Sequence, residues 1–130
     1  MSNDLDDISL DKNSFAYRDI LGQDAWATWT VTYSFATATG LTVLGRYRIV
    51  GRMCYAQVQS SGTSIATTAG ASYIALPVPA KGYGGQVIMF NSTTNIAVGV
   101  GGIDVANSRA HLPTQGASAN TFVFSFNYEC

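Results

Sequence analysis

The chain has 130 residues, 47% of them apolar and only 12% charged, with a formal net charge of −1. That is one domain's worth of chain, wetted by Thr, Ser, Gly, Ala and Asn because its charged fraction is about half the usual one. A balance so close to neutral argues against nucleic acid as partner, and no apolar run reaches the ~18 residues that a membrane-spanning helix needs.

Residues 1–24 differ from the rest. Their opening, "MSNDLDDISLDKNS", is acidic and polar, unlike a secretory signal. Asp4, Asp6, Asp7, Asp11, Asp19 and Asp24 stand against Lys12 and Arg18, which makes the segment −4 and leaves +3 for the remainder. We read it as an arm, ordered only when docked. Phe15, Tyr17 and Ile20 in "FAYRDILGQ" are its candidate interface residues.

From residue 25 the pattern changes to period two. In "AWATWTVTYSF", Ala25, Ala27, Trp29, Val31, Tyr33 and Phe35 alternate with Trp26, Thr28, Thr30, Thr32 and Ser34. Alternate strand residues point to opposite faces, so this is a half-buried strand with a hydroxyl-lined outer face. Trp26 is the one large ring on that polar side. A lone Trp there suits packing beneath another subunit, an ordinary local contact, or stacking on a sugar.

"LTVLGRYRIV" (41–50) and "RMCYAQVQ" (52–59) read as a hairpin about Gly51. Arg46 and Arg48 share one strand face, with Tyr47 and Ile49 on the other, and Arg52 follows the turn. Side chains two apart on a strand lie about 7 Å apart, a spacing that could grip two carboxylates of a neighbour. The bland reading is a solvated strand face. The sharper one is a subunit or shell contact, including the acidic arm of an adjacent copy. Recognition of an anionic glycan is a third.

Further strands are expected at 72–79, 86–90, 95–101, 103–112 and 121–129, each closed by turn residues. Pro77 and Pro79 confine the end of the first to an edge or loop. Phe122, Phe124, Phe126 and Tyr128 form an aromatic stripe on the last. About eight short strands and no convincing amphipathic helix point to an all-β, jelly-roll-like antiparallel sandwich over residues 25–130, with the arm extended from it.

Little else suggests chemistry. Cys54 alternates with Ala56 and Val58 as a small core residue, Cys130 is the last residue, and neither has metal-ligand spacing. "GYGG" (82–85) precedes no helix pattern, so it reads as a turn and not a phosphate cradle. "NST" (91–93) also reads as a turn. His111, the one histidine, lacks an evident titratable partner for a nucleophilic triad, and a loop or edge role suits it better. Asp104 and Glu129 fall in different strands, which makes a glycosidase pair conjectural. No cofactor or metal is implied.

The ordered set Trp29-Thr30, then Gly45, Tyr47, Gly51 and Cys54, then Leu76-Pro77, ending in the aromatic strand, resembles the small β-sandwich domains of tailed-bacteriophage virion proteins. The resemblance spans roughly residues 25–128. It implies a non-enzymatic structural protein, usually a trimer. An arm of 24 residues with no repetitive shaft before it tilts the reading to a capsid decoration (cement) protein on the outer surface of the head. Its partners would then be its own copies and the major capsid protein or another virion protein. Arg46, Arg48, Arg52, Trp26, Phe15, Tyr17 and Ile20 would make its interfaces. The alternative is a tail-fibre tip or head-fibre knob that binds a host surface glycan. A small lectin-like domain of cellular origin is a third reading, one that leaves the arm unexplained.

Overall fold

The computed structural model describes residues 26–82 and 84–130. The expectations placed on the arm, including Phe15, Tyr17 and Ile20, therefore lie outside the described residues. Within them every regular element is a β-strand.

Twelve strands form: β1 (Ala27–Trp29), β2 (Tyr33–Ser34), β3 (Thr37–Thr39), β4 (Thr42–Val50), β5 (Met53–Ser61) and β6 (Ser64–Thr67), then β7 (Tyr73–Ala75), β8 (Gln86–Asn91), β9 (Ile96–Asp104), β10 (Arg109–His111), β11 (Gln115–Ser118) and β12 (Phe122–Glu129). Nine of them make one antiparallel sheet in the order β1-β4-β5-β12-β8-β9-β10-β7-β2, and three make a smaller sheet, β11-β6-β3. The molecule is an all-β antiparallel sandwich, as its period-two pattern predicts, with more and shorter strands than the eight expected.

The large sheet curls until its two ends come from one stretch of chain. β1 pairs with β4 at one end, and β2, after a three-residue step, pairs with β7 at the other. The backbone N–H of Ala75 donates to the carbonyl of Thr32 within that step, at 2.8 Å. The expected single strand from 25 to 35 is thus two strands that close the roll. From Thr28 to Phe35 its side chains keep the predicted alternation: Trp29, Val31, Tyr33 and Phe35 pack on the core, while Thr28, Thr30, Thr32 and Ser34 are exposed; Ala27, expected on the inner set, is exposed, and Ala25 lies outside the described residues.

The core fills the inside of the roll. β5 supplies Cys54, Ala56 and Val58, β8 supplies Val87 and Met89, and the aromatic stripe of β12 runs between them, all buried. Ile65 from the small sheet and Ile74 and Ala110 from the far side complete it. Cys54 is buried, Cys130 is half-buried, and the two do not form a disulfide. The β4–β5 hairpin turns tightly at Gly51-Arg52, where Gly51 takes φ +62°, a conformation glycine adopts at no steric cost. Gly45 is fixed by space instead. A Cβ there would meet the Trp29 ring at 2.9 Å and press still closer on a Val31 methyl.

Two further expectations are revised. The strand expected at 72–79 stops at Ala75, before Pro77, whose missing N–H and fixed φ suit a loop. The strand expected over 103–112 is the end of β9, a turn, and β10. Ser108 in that turn takes φ +52°, and Asp104 accepts from the Asn107 backbone N–H at 3.1 Å.

Candidate functional site

Alternation along β4, β5, β12, β8 and β9 sends one set of side chains to the core and the other to the outer face of the large sheet. The registers align the outer set into rows across the strands. One runs Thr28, Arg46, Gln57, Ser125, Ile88, Val100. Beside it lies Leu44, Gln59, Val123, Phe90, Ala97, and on its other flank Arg48, Tyr55, Asn127. Four of these are large apolar or aromatic residues left open: Leu44 (63% exposed), Val100 (57%), Ile88 (50%) and Tyr55 (40%). Ile88 and Val100 face each other across the β8–β9 pair, while Leu44 and Tyr55 stand apart from them toward β4 and β5, so the face carries exposed apolar residues among Gln57, Gln59 and Ser125.

One corner of this face is cationic. Arg46 spreads over Trp26, its guanidinium carbon 4.8 Å from the ring centroid, and that of Arg48 is 5.9 Å from the same centroid. Both distances lie within reach of a cation–π attraction. Arg46 also donates through Nε (3.0 Å) and Nη2 (2.6 Å) to Oε1 of Gln57, which faces it across the β4–β5 pair. These contacts orient Arg46 while leaving it on the solvent side of the sheet. Of the residues singled out in the sequence, Trp26, Arg46 and Arg48 come together. Arg52, in the hairpin turn, does not join them.

A groove of about 560 Å³ crosses the same face, lined among others by Trp26, Arg48, Tyr55, Gln57, Gln86 and Asn127. Its lining mixes amide and aromatic groups with the aliphatic Val50 and Ile88. Among the described residues no three His, Cys, Asp or Glu side chains come together as metal ligands.

His111 has the acidic partner that the sequence did not reveal. Its Nε2 lies 3.3 Å from Oδ2 of Asp104. β10 folds back on β9 with Arg109 opposite Asp104, and His111 two residues further on reaches the same carboxylate. β10 also lies inside the sheet, between β9 and β7, so His111 is neither in a loop nor on an edge. Asp104 additionally accepts from Asn107 Nδ2 at 2.9 Å. Those Asn107 hydrogen bonds, more than His111, hold its carboxyl below the usual carboxylate range. Arg109 stacks on Tyr73 at 4.0 Å beside them. Among the described residues no Ser, Thr or Cys side chain is hydrogen-bonded to His111, and its buried Nδ1 has no partner there. The cluster ties β9, β10 and β7 together.

Glu129 lies apart from this pair, beside Gly82 at the end of β12. The loop over "GYGG" opens no helix, and at "NST" the Asn91 side chain accepts from the N–H groups of Thr93 and Thr94 (3.0 and 3.2 Å), which makes the turn. The chain matches no family model, and neither curated proteins nor solved structures give a match to it.

Proposed function

We propose that this protein is a non-enzymatic structural protein of a tailed-phage virion, a decoration protein that bridges capsid subunits as a homotrimer. The observation that carries a docking role is the outer face of the large sheet, with its open Leu44, Tyr55, Ile88 and Val100 and one ordered cationic corner. Its occupant is a second copy of the chain, and the trimer then sits on the shell. Burying such a face returns roughly 25 cal/mol per Å² of apolar surface, while the arginines fix orientation more than they add affinity. The virion setting rests on the ordered resemblance from Trp29 to the aromatic C-terminal strand.

Cryo-electron microscopy of virions carrying the protein tests the reading. Trimeric density over the quasi-threefold positions of the head is the expected result. Density confined to a tail or fibre appendage would discard it.

A second reading is recognition of a host surface glycan. The groove favours it, since Tyr55, Gln57, Gln86 and Asn127 offer a ring and amides of the kind that hold sugars. Trp26 adds less, because Arg46 already lies over its ring. Binding of the protein to a glycan array, lost on Tyr55→Ala, would favour this reading over decoration.

A further inference from the structure

Arg109 differs from the other cations among the described residues. Arg52 and Lys81 are exposed, Arg46 donates to Gln57, and Arg48 is engaged as well. Arg109 is half-buried, and its one contact is the Tyr73 ring, whose centroid lies 4.0 Å from its guanidinium carbon. Its N–H groups meet no acceptor among the described residues. A guanidinium drawn partly out of water with its donors unused is a polar demand left unmet. Asp104 does not meet it. The two stand opposite each other across the β9–β10 pair, yet Asp104 is engaged by Asn107 and His111 instead.

The strands around Arg109 shape a seat. β10 buries Ala110 and sends Arg109 and His111 to the outer face. Ala75 on β7 lies opposite Arg109, and Tyr73 opposite His111. Beyond β7, Ser34 lies opposite Tyr73, and the carbonyl of Thr32 accepts from the N–H of Ala75. Both hydroxyl residues are exposed. Ala75, with only a methyl group, therefore stands lower than Tyr73 and Arg109 beside it, and the hydroxyls rim the far side. From β10 to β2 is two strand spacings, about 10 Å, a span that one or two pyranose rings cover.

The side chains select the ligand. A guanidinium held against a ring keeps its N–H edge as a fork, which takes a carboxylate by two parallel hydrogen bonds. A protein partner would need an apolar centre to dock on. The exposed large hydrophobic residues lie elsewhere, on β4, β5, β8 and the earlier part of β9. Hydroxyls around a single cation suit a ligand that is itself rich in hydroxyls.

We infer that Arg109, on its Tyr73 platform, binds the carboxylate of an acidic sugar, with the Thr32 and Ser34 hydroxyls placed to meet those of the ring. The site is separate from the groove at Tyr55, and it stands whether or not copies assemble.

The test titrates the 15N-labelled full chain at neutral pH with trigalacturonic acid and, separately, with N-acetylneuraminic acid. At least one of them should give saturable amide shifts centred on Tyr73, Ala75, Arg109 and His111. Its methyl ester, which lacks the charge, should bind about tenfold more weakly or worse. Arg109→Lys keeps the charge and loses the fork, so it should weaken binding several-fold with β content unchanged by circular dichroism. Should that variant fail to fold, the ester comparison and the shift map of the parent decide by themselves. The inference is overturned by an absence of saturable shifts, by shifts centred on Tyr55 and Asn127, by equal binding of the ester, or by unchanged affinity in a folded Arg109→Lys. Acetate or a triglutamate peptide that binds as tightly as the sugar would overturn it too, since the site would then take any carboxylate or a protein partner.

Discussion

Tyr128 joins the last strand to the loop after β7 through one hydroxyl. Its Oη donates to the carbonyl of Val78 at 2.8 Å and accepts from the Val78 N–H at 3.3 Å, with the ring buried. Tyr128→Phe removes the partner that both backbone groups use, so a loss of about 1–3 kcal/mol is expected from urea unfolding. The same burial sets an alkaline limit. Desolvation pushes the Tyr128 phenol far above its usual range, and raises the Cys54 thiol as well. A folded state that keeps its proton while the unfolded chain releases it is stable at neutral pH and loses stability as pH rises. For Tyr128 the loss begins near pH 10 and runs at about 1.4 kcal/mol per pH unit. Urea midpoints between pH 8 and 11 should fall less steeply in Tyr128→Phe, which keeps only the Cys54 part. Gly45→Ala tests the opposite kind of fault, overpacking. Its methyl would collide with Trp29 and Val31, and a cost of about 1–3 kcal/mol in the same assay is expected.

Elements with a long period-two pattern were legible, and those defined by their partners were not. β4, β5 and β12 carry eight or nine residues each with one face buried, so alternation declares them. "TAT", "SIAT" and "QGAS" have too few large apolar residues to stand out, yet they pair as β3, β6 and β11. What holds that small sheet is specific: the buried Thr67 hydroxyl donates to the carbonyl of Pro113 at 2.6 Å. Thr67→Val should cost about 1–3 kcal/mol by leaving that carbonyl unpaired. Hydrogen exchange should then quicken first in β6 and β11, ahead of β5 and β12. The sites divide along the same line. Trp26, Arg46 and Arg48 share a face because parity along two adjacent strands puts them there. The Asp104–His111 pair depends on where the chain turns between β9 and β10. "DVANSR" does carry that signal, in Asp104, Asn107 and Ser108, but it sits inside a stretch whose apolar residues also fit one continuous strand.

At the scale of the whole molecule, the curled sheet spends its hydrophobic residues twice. The inner face makes a closed core within the described residues, while the outer face leaves Leu44, Tyr55, Ile88 and Val100 in the open, where they add nothing to the fold of one copy. If copies meet on this face, folding and association draw on different side chains, and they can be separated. In the double variant Ile88→Lys with Val100→Lys, both changes fall on the exposed row and touch no core contact, so unfolding free energy should stay within about 0.5 kcal/mol of the parent. Two ammonium groups on a face already carrying Arg46 and Arg48 raise the cost of desolvating it and repel a second such surface. Sedimentation analysis should accordingly find the parent as a trimer and the double variant as a monomer of unchanged β content. Variants that still assemble would show that the open face is not where copies meet. The partner would then have to be sought at the strands that edge the small sheet among the described residues, β3 and β11.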